Sequence, residues 1–118
     1  MVAVKVKYRK WRAENELITK LNAELDKVIE RAYSRLGIPI IADPFSPPPP
    51  RDKEEKVRRL RTLIEGKRTE IKRLIYQQIY RMMYLPQDKW EEEYEKLKRE
   101  VEKRIEETKK RVEEILKR

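Results

Sequence analysis

The chain has 118 residues, which suffices for one domain but not for two independent ones. Charged residues make up 45% of it, against roughly 25% in an average globular domain, and hydrophobic residues only 38%. There is no Cys and no His, which excludes disulfides, thiolate nucleophiles, Cys/His zinc sites and imidazole bases.

The net charge of +9 is unevenly distributed along the chain. Residues 1–12 carry +5 and residues 51–85 carry +6, whereas residues 86–118 are neutral and the segments between are slightly acidic. A charge that only kept the protein soluble would not be segregated in this way. The distribution therefore favours a polyanionic partner.

A basic extended arm is predicted for residues 1–12. Apolar side chains occupy the even positions from 2 to 8 and cations the odd positions from 5 to 9, and this period of two is typical of extended chain. No second strand is visible to pair with this segment, so we expect an arm that orders on a partner. Its cations, together with Tyr8 and Trp11, suit contact with a phosphate backbone or stacking on bases. The alternative is that the aromatic rings dock on the first helix.

A first helix is predicted over residues 13–36, where apolar residues recur at intervals of three and four. Gly37 stands where a left-handed cap would end it, and Pro39 prevents continuation. Residues 37–51 form a proline-rich elbow, in which the prolines at 47–50 are predicted to adopt a polyproline II rod. Beyond Gly37 the elbow has no Gly and one Ser, which favours a rigid spacer. A passive linker and a ligand for SH3-type grooves are the alternatives.

A second helix is predicted over residues 52–85, with Asp52 and Glu55 as a capping box at its start and Pro86 after its end. Gly66 interrupts this helix, either at a kink or close approach or as an ordinary tolerated glycine.

The third helix is predicted within residues 86–118, where Asp88 and Glu91 repeat the start signature. Its apolar stripe is narrow and resembles a coiled-coil seam, so we expect it to pack against one neighbouring helix. The stripe consists of Trp90, Tyr94, Leu97, Val101, Ile105, Val112 and Ile115. The fold class predicted from these elements is all-α. We expect an elongated subunit whose amphipathic helices bury their apolar stripes against a partner or against copies of the chain.

Four cations of the second helix form what we call the basic sector. Arg58, Arg61, Arg68 and Lys72 fall within about 80° on a helical wheel. Arginine suits phosphate binding because its planar guanidinium can donate hydrogen bonds to two oxygens at once. Glu65 is the one acidic residue nearby, and the alternative interpretation is a solvated charged face.

Tyr76, Tyr80 and Tyr84 follow each other at intervals of four on the same helix. A row of this kind more often packs against protein than reads a ligand, and its hydroxyls favour an interface with another helix. The predicted protein-interface residues are Tyr76, Tyr80, Met83, Tyr84, Trp90, Tyr94, Leu97 and Val101.

Catalysis finds no support in the sequence. The carboxylates lie in helical charge patterns, and there is no Gly-rich phosphate loop, so we expect no catalytic residue, metal or cofactor. A helix-turn-helix needs two short helices joined by a tight turn, whereas these helices are long and separated by proline. We therefore expect contact with the nucleic-acid backbone and indifference to sequence. No signal peptide or membrane span is recognisable, so the expected location is a virion or the cytoplasm and nucleoid.

Three features occur together: the basic arm MVAVKVKYRKWR, long helices broken at GIPIIADPFSPPPP, and the basic segment VRRLRTLIEGKRTEIKR. This layout resembles that of the DNA-wrapping major capsid proteins of rod-shaped and filamentous viruses of hyperthermophilic archaea. The resemblance implies all-helical subunits that assemble into a helical shell, with basic helical segments embracing double-stranded DNA. Abundant Glu, Lys and Arg with few Asn and Gln also suit a thermophilic source.

The sequence therefore predicts a structural protein that coats nucleic acid through nonspecific phosphate contacts and assembles with copies of itself. Its most specific form is a virion coat protein bound to double-stranded DNA. The alternative is a coiled-coil adaptor that binds an acidic protein and no nucleic acid. The predicted nucleic-acid-binding residues are Lys5, Lys7, Arg9, Lys10, Trp11, Arg12, Arg51, Arg58, Arg59, Arg61, Lys67, Arg68, Lys72 and Arg73.

Overall fold

The computed structural model describes residues 2–38, 45 and 50–117, and these contain three helices and no strand. They are α1 (Val2–Leu36), α2 (Arg51–Met82) and α3 (Gln87–Lys117). Each helix packs against the other two, in an up-down-up bundle with extents of 60 × 28 × 16 Å. The all-α prediction is confirmed, and the elongated shape agrees with it.

One hydrophobic core runs the length of the bundle, and all three helices contribute to it. Its fully buried residues include Leu21, Leu25, Ile71, Ile75, Ile79 and Val101. Burying one such side chain contributes about 1.5–3 kcal/mol, so a narrow stripe on each long helix suffices for a chain with few apolar residues. The expectation that a partner completes these helices is wrong, because the chain buries its own apolar stripes.

The α3 helix contacts two neighbours, whereas the sequence predicted one. Its buried residues face both α1 and α2, and they include the polar residue Thr108, which is fully buried. The Thr108 hydroxyl donates a hydrogen bond of 2.8 Å to the carbonyl oxygen of Arg104, one turn earlier in the helix. This bond satisfies the hydroxyl, so a polar residue can occupy a core position.

The basic N-terminal segment is helical, so the predicted extended arm is wrong. The core stripe of α1 continues through it, with Val6, Ala13 and Leu17 buried at helical intervals. Lysine and arginine are good helix formers, and burial of Val6 against the bundle outweighs the strand preference of alternating valines. α1 therefore begins at Val2, and residues 1–12 are not a separate arm.

The end of α1 agrees with the sequence. Gly37 has a φ of +68°, its amide donates to the carbonyl of Ser34, and the amide of Ile38 donates to the carbonyl of Tyr33. This pair of hydrogen bonds is a Schellman cap, which requires a left-handed residue at Gly37. Of the predicted polyproline rod only Pro50 lies within the described residues, and its φ of −53° and ψ of 149° fit that conformation.

Prolines mark the starts of the other two helices. The Pro50 carbonyl accepts a hydrogen bond of 3.0 Å from the Glu54 amide, and no side chain of the described residues caps α2. The predicted capping box is therefore wrong: α2 begins before Asp52, whose carboxylate lies in the first turn and interacts favourably with the helix dipole. The start of α3 after Pro86 repeats this arrangement, with Asp88 in the first turn.

Candidate nucleic-acid interface

The excess positive charge lies on α1 and α2. Seven of the predicted binding residues have neither an ion-pair nor a hydrogen-bond partner among the described residues, and six of the seven are well exposed, with Lys72 half-buried. They are Lys5, Lys7, Arg12, Arg51, Arg58, Lys72 and Arg73. We call them the unpaired cations. They are available to phosphate oxygens without breaking an existing ion pair.

Arg9 has a structural role and is not available for phosphate binding. Its guanidinium donates hydrogen bonds of 2.8 Å to the carbonyl oxygens of Met83 and Leu85, at the C-terminal end of α2. It also donates to Gln87 and lies over the ring of Trp90. A cation at this position satisfies two carbonyls of the connection that follows α2, and it complements the dipole at the C-terminal end of that helix. The prediction of Arg9 as a binding residue is therefore wrong.

Half of the basic sector is engaged by α1. Arg68 donates to Asn22 at 2.7 Å and to Asp26 at 3.0 Å, and its Nε lies 3.4 Å from a carboxylate oxygen of Glu65. Its side chain is only 15% exposed. Two carboxylates thus neutralise a cation that the sequence assigned to phosphate.

Arg61 donates to the hydroxyl of the buried Tyr33 and lies against its ring. Its charge has no carboxylate partner among the described residues, so it can still attract phosphate, but its guanidinium is held towards α1. Only Arg58 and Lys72 of the basic sector have no protein partner in the described parts of the chain.

Three further predicted cations lie in ion pairs along their own helices. Lys10 lies 3.4 Å from Glu14, and Arg59 and Lys67 pair at about 3 Å with Glu55 and Glu70 respectively. Exposed pairs of this kind contribute about 0–1 kcal/mol each, so a phosphate can compete with them. The remaining predicted residue, Trp11, is 60% exposed on α1.

Along the α1–α3 seam, by contrast, cations of one helix pair with carboxylates of the other. Lys20 pairs with Glu102, Arg35 with Glu113, and Lys109 with Glu24. The hydrogen bonds from Lys20 and Arg35 lower the pKa of Glu102 and of Glu113. These pairs balance the charges of the two helices along the seam and leave the excess cations on the other surfaces.

Most of the predicted interface residues on α3 belong to the bundle itself. Trp90, Leu97 and Val101 are at most 5% exposed, and Met83 is buried as well. They pack within the chain and are not available to a partner protein, so these four predictions are wrong. The row Tyr76, Tyr80 and Tyr84 is 48%, 69% and 80% exposed, and its role at an interface stays a prediction.

A groove of about 660 Å³ lies at the end of the bundle where α1 starts and α2 turns into α3. We call it the end groove, and its lining includes Lys5, Tyr8, Arg12, Tyr84, Trp90 and Tyr94. The hydroxyl of Tyr94 donates a hydrogen bond of 2.9 Å to Glu16. Burial, reinforced by this bond, raises the pKa of Tyr94 well above its ordinary value, so its hydroxyl stays protonated.

Sequence reasoning missed the groups that restrain the basic residues. Asn22, Asp26 and Tyr33 lie on α1 and contact cations of α2, which are distant in sequence. The signal available was their position beside the apolar stripe of α1. Only the relative rotation of the two helices decides which cations they meet, and the sequence does not specify that rotation.

No helix in the described ranges combines the length and apolarity that a membrane crossing requires. The same residues contain no cluster of acidic side chains arranged to hold a metal ion. Comparison with models of known families, with curated protein sequences and with solved structures finds no match to this chain.

Proposed function

We propose that this protein is a structural nucleic-acid-binding protein that contacts phosphates through the unpaired cations of α1 and α2. The observation that supports it best is the distribution of charge over the bundle. α3 carries equal numbers of acidic and basic residues within 86–118 and is tied to α1 by matched ion pairs. The excess of +9 is therefore carried by the other two helices.

The geometry suits contact with a backbone better than readout of bases. α1 and α2 are rods of 35 and 32 residues, and their cations are spread along them. A polyanion that runs along these helices would make many similar contacts, each of which releases condensed counterions. Binding of this kind is strong at low salt and largely indifferent to sequence.

Self-assembly is the second part of the proposal. The exposed tyrosine row supports it, because large aromatic side chains with hydroxyls are common at protein interfaces. A virion coat protein bound to double-stranded DNA is the most specific form of this function. The bundle differs from the open, partner-dependent subunit that the sequence suggested, and assembly would therefore join preformed bundles.

A salt titration tests the proposal. Binding of a random-sequence duplex to the whole chain is measured by fluorescence anisotropy over a range of salt concentrations. If the seven unpaired cations all contact phosphates, affinity falls by roughly 10⁴-fold between about 50 and 200 mM salt. Little affinity for the duplex at low salt would reject the proposal and leave an adaptor that binds an acidic protein as the better interpretation.

A further inference from the structure

We propose that the end groove binds an unpaired nucleotide of a nucleic-acid strand. Tyr8 and Tyr84 would stack on the base, and Lys5 and Arg12 would hold the adjoining phosphates. This inference rests on the proposed function, to which it adds a second binding site and a requirement for an unpaired strand. The phosphate contacts along α1 and α2 can form with duplex and single strands alike. This site, by contrast, requires a base that is not stacked on its neighbours.

Exposed aromatic rings are concentrated at this end of the bundle. Tyr8 is 58% exposed and Tyr84 is 80% exposed, yet both line one groove. The groove continues onto Trp90 and Tyr94, whose rings are nearly parallel with centroids 6.1 Å apart. Its volume lies in the range of roughly 300–1,000 Å³ that small-molecule sites occupy. Because Trp90 is buried and Arg9 lies over its ring, the exposed rings of Tyr8 and Tyr84 are the flat surfaces that the site offers to a planar ligand.

The charge of the lining specifies an anionic ligand. Lys5 and Arg12 have no carboxylate partner among the described residues, and Arg9 beneath them is engaged by the α2 carbonyls. The one acidic residue of the lining, Glu16, accepts the hydrogen bond of Tyr94. Aromatic surfaces beside uncompensated cations match a ligand with a planar ring and a phosphate.

A second copy of this chain fits the groove less well than a nucleotide does. A symmetric contact between two such ends would bring the same unpaired cations together, and like charges repel. A base within a duplex has both faces covered by its neighbours, so it cannot stack on a tyrosine. An unpaired nucleotide is the occupant that satisfies both the rings and the cations.

The experiment compares two labelled strands of equal length, about 15 nucleotides, in fluorescence anisotropy at low salt. One is oligothymidylate, and the other is an abasic strand with the same phosphates and no bases. The wild-type protein is expected to bind oligothymidylate at least about fivefold more tightly, which is the lower range for loss of one base–aromatic stack. The double variant Tyr8→Ala/Tyr84→Ala removes this difference and leaves affinity for the abasic strand unchanged.

The matched control is Thr19→Ala/Gln77→Ala, which removes two exposed side chains that neither line the groove nor belong to the tyrosine row. It should bind both strands as the wild type does, and circular dichroism verifies that both double variants are helical. Equal wild-type affinities for the two strands would overturn the inference without needing any variant, as would an equal loss in the control. Absence of salt-dependent binding to these strands and to duplex would overturn the proposed function as well.

Discussion

Arg9 lies over Trp90, with its guanidinium carbon 4.3 Å from the centre of the indole ring. The same guanidinium donates to the carbonyls of Met83 and Leu85, so one side chain joins α1, the end of α2 and the start of α3. Arg9→Ala should lower the free energy of unfolding by about 2–4 kcal/mol, because it removes two charged hydrogen bonds and a cation–π contact. Urea denaturation measures this change.

The control for that variant is Lys7→Ala, which removes an exposed cation from the same helix. It should change stability by no more than about 0.5 kcal/mol. Equal, small effects of the two substitutions would contradict the structural role of Arg9 and restore it as a candidate phosphate ligand.

The two glycines of the chain should respond in opposite ways to alanine. A Cβ at Gly66 meets nothing within 4 Å, and the residue lies inside α2. Gly66→Ala should therefore stabilise the protein by about 0.5–1 kcal/mol. Gly37→Ala should destabilise it, because a side chain is strained at a φ of +68°. Thermal unfolding of both variants measures the signs, and destabilisation by Gly66→Ala would indicate a close approach that the fold does not show.

The assignment of α3 to the intramolecular core is tested at Ile105, which is 3% exposed. Ile105→Ala should cost about 2–5 kcal/mol, the range for truncation of a buried isoleucine, whereas Lys103→Ala on the surface should cost little. Without nucleic acid, and at concentrations where size-exclusion chromatography shows a monomer, the midpoint of thermal unfolding should not depend on protein concentration. A midpoint that rises with concentration would indicate that α3 completes its core in another chain.

The stability of the bundle should depend on the ionisation of Tyr94 at alkaline pH. Burial and the bond to Glu16 raise its pKa above the ordinary value of 10.0, so the unfolded chain loses this proton before the folded one does. The stability contributed is fully present below pH 10.0 and is lost as the pH rises through the higher folded value.

The variant Tyr94→Phe cannot ionise and should lose stability less steeply above about pH 10 than the wild type. Urea unfolding at a series of alkaline pH values compares the two slopes. Lys109, whose pKa is also raised, titrates in both proteins and cancels in the comparison. Identical slopes would show that the Tyr94 hydroxyl is not protected in the folded state.

The helical periodicity of the apolar residues was enough to predict three helices and the cap at Gly37, since both depend on local sequence. It was not enough at the N-terminus, where alternating valines also fit a strand and burial of Val6 against the bundle decides the matter. Periodicity also failed to predict that the three helices pack against one another within a single chain. Whether a narrow stripe such as that of α3 faces its own chain or another depends on the loops, which periodicity does not describe.

For a similar reason, only part of the candidate interface could be predicted from the sequence. Charge segregation is a property of the sequence, and it located the excess cations on α1 and α2. Which of them are free depends on contacts between helices, such as that of Arg68 with Asp26. A helical wheel cannot show this, because it contains one helix at a time.

The most direct test of the account reverses two matched sets of charges. The first variant is Arg58→Glu/Lys72→Glu/Arg73→Glu on α2, and the second is Arg99→Glu/Lys103→Glu/Lys110→Glu on α3. Each has three cations without a carboxylate partner among the described residues, and each lowers the net charge by the same amount.

Duplex affinity at low salt is measured for both variants, with helical content checked by circular dichroism. Reversal on α2 should abolish binding and reduce its salt dependence, whereas reversal on α3 should weaken binding only slightly. Equal losses in the two variants would show that net charge alone attracts the nucleic acid, and would contradict an interface on α1 and α2.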